Sequence, residues 1–196
     1  LALLVIGALA GWYFVRNHQL YGDPLALAAH QQGFTGNRLA DIAARHGLVL
    51  VEDNAHGLGG AWNGRRLGTF GAMSTLSFHE TKNVTCGEGG ALVVNDGTLI
   101  ERAEILREKG TDRARYFRGQ VDKYTWVDVG SSWVLSDLLA AILTEQLRRL
   151  DSVQAARHAI WDRYAAELAG WAEARDVQLP SIPAAAHHTA HMFQLR

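Results

Sequence analysis

Lys82 is the residue of this sequence best suited to covalent chemistry, because it lies in a polar turn between two apolar runs. The run from Met73 to Phe78 predicts a strand, and after a glycine cluster the run from Ala91 to Val94 predicts a second strand. A turn of this kind can present one amine in a pocket. An amine attacks a carbonyl only in its neutral form, which burial or a nearby cation favours. The pattern therefore indicates a lysine that forms a Schiff base.

A carboxylate and an imidazole follow another apolar run, Leu48 to Val51. This run predicts a short parallel strand, with Asp53 and His56 at its carboxyl end, where open α/β sheets place their ligand sites. We therefore expect Asp53 and Lys82 at neighbouring strand ends of one sheet. Pyridoxal phosphate suits such a pair, because its aldehyde needs a lysine and its pyridine nitrogen needs an anion.

Several motifs of this region occur together and in one order. They are Glu52-Asp53-x-Ala55-His56, Gly64-Arg65-x-x-Gly68-Thr69-Phe70-Gly71, Ser77-Phe78-His79-x-Thr81-Lys82-Asn83 and Gly87-Glu88-Gly89-Gly90-Ala91. The set resembles the DegT/DnrJ/EryC1/StrS group of sugar-nucleotide aminotransferases. Residues 107–111, 117–126 and 130–132 resemble more narrowly the branch that makes dTDP-4-amino-4,6-dideoxygalactose for enterobacterial common antigen. The resemblance runs from about Gly36 to Arg196 and covers only the middle of such an enzyme.

This resemblance implies an α/β fold, namely part of the large domain of a fold type I transferase that depends on pyridoxal phosphate. Such a domain is a mostly parallel sheet flanked by helices. Residues 37–170 would form it together with a long linking helix, and residues 171–196 would begin the small C-terminal domain. The implied reaction moves an amino group from glutamate to a dTDP-4-keto-6-deoxyhexose. The implied full-length enzyme is a homodimer.

The resemblance also implies roles for single residues. Lys82 would bind the aldehyde of the cofactor and then move a proton between substrate and cofactor. Asp53 would hold the pyridinium proton, and Ala55 would leave room for the flat ring. His56 would lie near the phenolic oxygen of the ring, and Ser77 would donate a hydrogen bond to the phosphate.

Two positions refine these roles. Ser132 stands where many relatives have an asparagine that reaches the phosphate from the partner subunit, so it is included among the cofactor-binding residues. Lys82 separates the chain from the dehydratases of the family, which have a histidine at that position.

Charge and cysteine content narrow the class of protein. The 19 basic and 20 acidic residues nearly balance, which argues against a nucleic-acid partner and favours a small-molecule one. The single cysteine, Cys86, excludes an internal disulfide and fits a reducing compartment, so we expect a cytoplasmic protein. Cys86 lies in a glycine turn and is interpreted as a bystander rather than a nucleophile.

The first residues differ from the rest. Residues 1–20 begin with an uncharged apolar run, Leu1 to Val15, which is shorter than the roughly 20 residues a membrane-spanning helix needs. We interpret it either as a truncated transmembrane helix, weakly similar to multi-pass membrane proteins related to glycosyltransferases, or as a buried helix. Membrane contact is expected only through this segment. Residues 21–36 are predicted to be a junction.

Helices and turns are predicted around the motifs. A short helix is capped by Asn37 and stopped by Gly47, another runs from Thr98 to Lys109, and Ser136 and Asp137 begin the longest one. The leucine stripe of the longest helix, from Leu139 to Val153, indicates core or a subunit seam. Gly57 to Gly71 is predicted to be a loop or a hairpin around Asn63-Gly64.

Two clusters carry a weaker signal. The histidines at 187, 188 and 191 are predicted to be solvated, with no metal site. The basic residues between Arg102 and Arg118 fit a solvated face better than a landing place for a nucleotide diphosphate.

Three hypotheses follow from the sequence. The first is a transaminase with pyridoxal phosphate on Lys82. The second is an inactive fragment or fusion remnant, because the part of the family that grips the phosphate and stacks on the ring is absent. The third is a membrane-anchored module of polysaccharide assembly, suggested by residues 1–20.

Overall fold

The computed structural model describes residues 36–196, with side chains described from Asp41 onward. The predictions for residues 1–20 and for the junction up to residue 35 lie outside the described residues. The chain divides into two compact units, residues 1–48 and 49–196. Of the helices described, none is both long enough and apolar enough to cross a membrane.

The described element of the first unit is helix α1, Gly36–Arg45. It ends before Gly47, whose φ of 62° is a left-handed conformation that glycine adopts at low cost. The Leu48 amide donates to the Ala43 carbonyl at 2.8 Å and closes the last turn. The predicted glycine stop is therefore confirmed. The predicted cap is wrong, because the helix begins one residue before Asn37.

The second unit contains two small sheets. Its strands are β1 Val51–Asp53, β2 Ala61–Trp62, β3 Arg65–Arg66, β4 Met73–Ser77, β5 Gly90–Val94 and β6 Ala186–His187. The first sheet has the order β1, β4, β5, and the second has the order β3, β2, β6.

The first sheet positions the predicted site. β1 and β4 are parallel, with Asp53 opposite Thr75, whereas β4 and β5 are antiparallel, with Ser77 opposite Gly90. The predicted parallel strand before the carboxylate is confirmed, although pairing starts at Val51 and includes Asp53 itself. The strand after the lysine turn returns antiparallel, so within residues 49–196 the expected mostly parallel sheet is represented by one parallel pair.

The second sheet begins with the predicted hairpin. Asn63 and Gly64, between β2 and β3, have φ values of 47° and 76°. Positive φ at both central residues is the requirement of a type I′ turn, which Asn-Gly satisfies. The hairpin prediction is confirmed. β6 then adds to the other edge of β2, with His187 opposite Ala61.

Four helices follow the first sheet: α2 Ile100–Arg107, α3 Arg113–Phe117, α4 Asp137–Arg148 and α5 Leu150–Glu173. Ser136 caps α4, because its side chain accepts from the Leu139 amide at 3.4 Å, as predicted. The predicted cap at Thr98 is wrong, since the Asp96 carboxylate accepts from the Thr98 amide and a 3₁₀ turn precedes α2. The longest predicted helix is divided at Arg149.

A compact apolar cluster lies under the lysine turn. Phe78, Val84 and Cys86 are its buried members. Six leucines pack against them, namely Leu58, Leu76, Leu135, Leu139, Leu143 and Leu150. Leu139, Leu143 and Leu150 of the predicted leucine stripe belong to this core, whereas Leu147 of the same stripe is 41% exposed. Burial of Cys86 agrees with its interpretation as a bystander.

Replacement of Val84 by alanine should destabilise the second unit by about 2 kcal/mol, since two methyl groups and their contacts are lost. Val84 is only 1% exposed. The matched control is Val127→Ala at a position that is 51% exposed, which should change stability by less than about 0.5 kcal/mol. Urea denaturation of both variants measures the difference. Equal effects would mean that the cluster under Lys82 is not packed as described.

Candidate active site

A shallow cavity lies beside the turn that carries Lys82. Its empty space, including the part open to solvent, is about 220 Å³. Four predicted site residues line it: Ala55, His56, Ser77 and Lys82. Residues 55 and 56 follow β1 and residue 77 ends β4, so the parallel pairing of these strands brings them together. The structure thus places an amine, an imidazole and a hydroxyl around one cavity.

Asp53, the last residue of β1, lies next to this cavity without lining it. It pairs with Thr75, which precedes Ser77 by two residues, or about 7 Å along the strand. Its carboxylate accepts from the Ala55 amide at 3.1 Å and from the Thr75 hydroxyl at 3.5 Å. These bonds hold the carboxylate beside a cavity-lining residue.

Backbone hydrogen bonds close the turn that presents Lys82. The Cys86 amide donates to the Phe78 carbonyl at 3.0 Å, and the Phe78 amide donates to the Gly89 carbonyl at 2.8 Å. Inside the turn, the Lys82 amide donates to the His79 carbonyl at 3.0 Å. Phe78 and Cys86 are buried, so the base of the turn is fixed in the core while half-buried Lys82 stands at the cavity.

Glu52 anchors the loop that leads into β4. Its carboxylate accepts hydrogen bonds from three backbone amides, those of Gly68 at 2.8 Å, Phe70 at 2.6 Å and Gly71 at 2.7 Å. Bonds to an ionised acceptor are roughly twice as strong as neutral ones. Glu52 therefore ties β1 to the start of β4 and so fixes the relative position of the two strand ends. The sequence motif contains Glu52, but its role is visible only in the fold.

The C-terminal segment also reaches the cavity, and sequence reasoning missed this contribution. The Thr189 hydroxyl donates to the His56 carbonyl at 2.8 Å. His191 lines the cavity, and its ring lies 4.2 Å from the His56 ring, measured between centroids. Leu58, Asn83 and Val84 are the other lining residues that were not predicted as site residues. The available signal was the concentration of histidines near the end of the sequence.

The prediction that the three C-terminal histidines are solvated is wrong for His188 and His191. Both are half-buried, because the C-terminal segment packs against α5. The His188 ring lies edge-on to the rings of His158 and Trp161, each at 4.7 Å between centroids. Across the described part of the chain, no group of three or more histidine, cysteine or acidic side chains is arranged to hold a metal.

Burial controls the titration of these two histidines. It lowers the pKa of His188, and the charges of His158 and His187 lower this pKa further against an opposing effect of Asp162. Burial also lowers the pKa of His191, assisted by the charges of its neighbours His56, Arg157 and Lys82. Both imidazoles are therefore neutral at pH 7.

Stability of the folded chain should consequently decrease in mild acid. The folded-state pKa values of His188 and His191 lie below the ordinary 6.5, so the unfolded state binds more protons below that pH. Their contribution is complete above pH 6.5 and is lost as the pH falls through the lower folded-state values. Denaturant unfolding at several pH values between about 7.5 and 5.5 measures the slope. The double variant His188→Gln/His191→Asn should flatten it, and an unchanged slope would refute this origin.

Ser132 does not reach the cavity of its own chain. It is exposed and forms an antiparallel bridge with Glu108. Its contact with cofactor bound to a partner subunit stays a prediction.

The basic residues between Arg102 and Arg118 are mostly engaged in ion pairs. The pairs are Arg102 with Asp128, Arg113 with Glu108, Arg115 with Glu101 and Arg118 with Glu104. The last pair is bidentate, with both bonds at 2.8 Å. Such pairing favours the solvated face over a landing place for a nucleotide.

The chemistry of these groups fits pyridoxal phosphate. Lys82 would supply the amine for its aldehyde and Asp53 the anion for its pyridine nitrogen. Ser77 would supply a hydroxyl donor for the phosphate, and Ala55 presents only a methyl group to the cavity. His56 would add an imidazole for the phenolic oxygen. The donor set therefore contains a partner for each polar part of the cofactor.

Known proteins resemble this chain over most of its length. The model of the DegT/DnrJ/EryC1/StrS aminotransferase family matches residues 29–196. GDP-perosamine synthase from Vibrio cholerae is 35% identical over 147 residues, which are 74% of this chain and 38% of that protein. The dTDP-4-dehydro-2,6-dideoxy-D-glucose 3-dehydratase from Saccharopolyspora spinosa is 34% identical over an alignment of 164 positions, which covers 74% of this chain and 36% of that protein.

Solved structures agree. The PLP form of a Streptococcus pneumoniae protein described as a sugar aminotransferase has a TM-score of 0.64 and 25% identity, covering 76% of this chain and 37% of that chain. This chain spans well under half the length of each of these relatives.

These matches confirm the resemblance to the DegT/DnrJ/EryC1/StrS group, the α/β class with part of a fold type I domain, and pyridoxal phosphate as the cofactor of the family. The narrower resemblance to the dTDP-4-amino-4,6-dideoxygalactose branch stays a prediction. Sugar aminotransferases are among the relatives, which agrees with the expected enzyme class. The chain belongs to the DegT/DnrJ/EryC1/StrS aminotransferase family.

Proposed function

We propose that this chain forms part of an enzyme that uses pyridoxal phosphate to transfer an amino group from glutamate to the keto carbon of a dTDP-4-keto-6-deoxyhexose. The product would be dTDP-4-amino-4,6-dideoxygalactose, a sugar of the enterobacterial common antigen type. The observation that carries the proposal is the position of Lys82 at a cavity shared with Ala55, His56 and Ser77, with Asp53 beside it.

When bound, pyridoxal phosphate supplies an aldehyde that receives the amino group and a protonated ring that accepts electrons. The residues of this chain would hold it at three points. Lys82 would hold the aldehyde end, Asp53 the ring nitrogen and Ser77 the phosphate. Ser77 and Asp53 lie on adjacent strands, so a ligand between them would be supported by a rigid part of the fold.

Lys82 would also act as the base. In the first half of the reaction Nζ, when neutral, would take a proton from the donor carbon and deliver it to the cofactor. In the second half it would move a proton from the cofactor to the acceptor carbon, so a single amine would serve both halves. The turn around it is closed by backbone bonds to the core, which limits the positions Nζ can reach. His56 would orient the ring from the side of β1, and the half-buried wall formed by His191 would exclude water from that side.

The nucleotide of the substrate is inferred from particular positions of the chain, because the relatives include both a GDP-sugar enzyme and a dTDP-sugar enzyme. The narrower resemblance at residues 107–132 supports dTDP. A lysine at position 82 supports transamination over the dehydration named for the Saccharopolyspora relative.

We also propose that the full-length enzyme is a homodimer. The surface around Ser132 exposes large apolar side chains: Phe117 is 71% exposed, Trp126 80% and Trp133 69%. Exposed large aromatic side chains of this kind are typical of association surfaces. In this arrangement Ser132 would face the site of the partner subunit.

A single-turnover experiment tests the proposal. The chain is loaded with pyridoxal phosphate and mixed with glutamate, and one equivalent of 2-oxoglutarate per bound cofactor is expected. The chain, with its cofactor now in the aminated form, is then mixed with dTDP- or GDP-linked 4-keto-6-deoxyhexoses. Amination of the dTDP sugar is expected to be faster. Cofactor binding without 2-oxoglutarate release would reject the transaminase. A chain that binds no cofactor would support the inactive remnant instead.

A further inference from the structure

Asn83, which follows Lys82 directly, is a junction of three hydrogen bonds. Its Nδ2 donates to Gln154 Oε1 at 2.9 Å and to the Thr189 carbonyl at 2.7 Å. Its Oδ1 lies 2.7 Å from His191 Nδ1. A backbone carbonyl can only accept, so the contact with Thr189 assigns the hydrogens of the amide to that side. Oδ1 therefore faces His191.

This orientation of Asn83 also assigns the tautomer of His191. An amide oxygen can only accept, so Nδ1 of His191 carries the proton and donates it to Asn83. The ring nitrogen Nε2 of the neutral imidazole is then unprotonated. The charged and titratable groups that face the ring are His56, Arg157 and Lys82, and all three oppose a positive charge on it.

The backbone of His191 is fixed separately from its ring. Nε of Arg157, on α5, donates to the Ala190 carbonyl at 3.2 Å, and Nη2 donates to the His191 carbonyl at 2.9 Å. Ala190 has a φ of 47°, in the left-handed region, which turns the chain at this point. The imidazole is therefore presented to Asn83 by a segment that α5 already holds.

We propose that His191, in its Nδ1–H tautomer, is a positioning residue that acts through Asn83 on the turn carrying Lys82. Gln154 belongs to α5 and Thr189 to the C-terminal segment, so Asn83 joins the turn to both elements. Without the bond from His191, Asn83 keeps only its bonds to Gln154 and Thr189. The turn is then held less firmly, and the Lys82 amine spends less time at the cavity. The inference rests on the proposed function, in which Lys82 is the reacting amine.

Competitive labelling of the three lysines, Lys82, Lys109 and Lys123, tests this inference. The whole chain is treated with pyridoxal phosphate and borohydride, and the label on each lysine is quantified by mass spectrometry. His191→Leu removes the donor and should lower labelling of Lys82, relative to the other two, by about tenfold, the equivalent of one hydrogen bond. His191→Asn places an amide nitrogen near the position of Nδ1 and should recover most of the labelling.

The outcomes separate this inference from the proposed function. Wild-type labelling of Lys82 in His191→Leu would overturn the positioning role and leave the proposed function standing. An unsubstituted chain labelled mainly at Lys109 or Lys123 would contradict the proposed function itself. If His191→Leu does not fold, ¹⁵N chemical shifts of His191 in the unsubstituted chain decide: a proton on Nδ1 supports the inference, and a proton on Nε2 refutes it.

Discussion

Lys82→Arg is expected to abolish covalent attachment of pyridoxal phosphate and to lower any transamination rate by at least about 10³-fold. Arginine keeps the positive charge and much of the length of the side chain, but its guanidinium is not a usable nucleophile because it stays protonated. Lys82 lines the cavity, and the polar groups that suit the cofactor surround it. A variant in which Lys109 and Lys123 are both replaced, so that Lys82 is the remaining lysine, should therefore bind the cofactor like the unsubstituted chain.

The matched controls are Lys109→Arg and Lys123→Arg, which change exposed lysines away from the cavity. Each control should keep the visible absorbance of bound cofactor and the borohydride label on residue 82. Peptide mapping after reduction shows where the label resides. Persistent labelling in Lys82→Arg, with the label found on Lys109 or Lys123, would move the reacting amine and remove the basis of the assigned site.

The parts of the site that local sequence patterns control were predictable. A short apolar run before Asp53 and another before Ser77 predicted two strand ends, and their parallel pairing places both residues at one edge of the sheet. Asn63-Gly64 predicted its hairpin, because few other pairs accept positive φ at both turn positions. Each of these signals is local and favours one backbone conformation, so the predicted strand ends and hairpin are found in the fold.

The contribution of the C-terminal segment was not predictable by the same means. Asn83 meets Thr189 and His191 across more than one hundred residues of sequence, and neither a period nor a turn signal marks such a contact. The histidines were expected to be solvated because loop residues usually are exposed. In the fold, however, aromatic rings of α5 and the Arg157 guanidinium hold that segment against α5. Tertiary contact decided their burial, and local composition could not report it.

The division of the long helix at Arg149 has a similar origin. The leucine pattern continues from Leu139 to Val153 without interruption, so the sequence indicates one helix. In the fold, Leu143 and Leu150 must both reach the cluster under the lysine turn. Arg149, with φ of −99° and ψ of 7°, leaves helical geometry between them, and α4 and α5 contribute to the cluster as two helices.

Glu52→Ala is expected to lower the free energy of unfolding of the second unit by about 3–5 kcal/mol, because three charge-assisted hydrogen bonds disappear together. The amides of Gly68, Phe70 and Gly71 would lose their acceptor. Gly68 and Gly71 are buried, so water replaces the carboxylate only in part. Glu52→Gln should cost somewhat less, about 2–4 kcal/mol, since its amide oxygen can still accept while its NH₂ group faces donors.

Urea denaturation of Glu52→Ala and Glu52→Gln, with hydrogen exchange of the three amides, measures this effect. Glu101→Gln is the matched control: its carboxylate pairs with Arg115 at 3.5 Å on the exposed surface, so it should change stability by less than about 0.5 kcal/mol. Asp53→Asn is the second control, because it alters the adjacent, exposed carboxylate and should disturb the cofactor site while leaving stability nearly unchanged. If Glu52→Ala unfolds at the same urea concentration as Glu101→Gln, the loop before β4 does not depend on Glu52. The juxtaposition of the two strand ends, and with it the position of Asp53 relative to Ser77, would then need another cause.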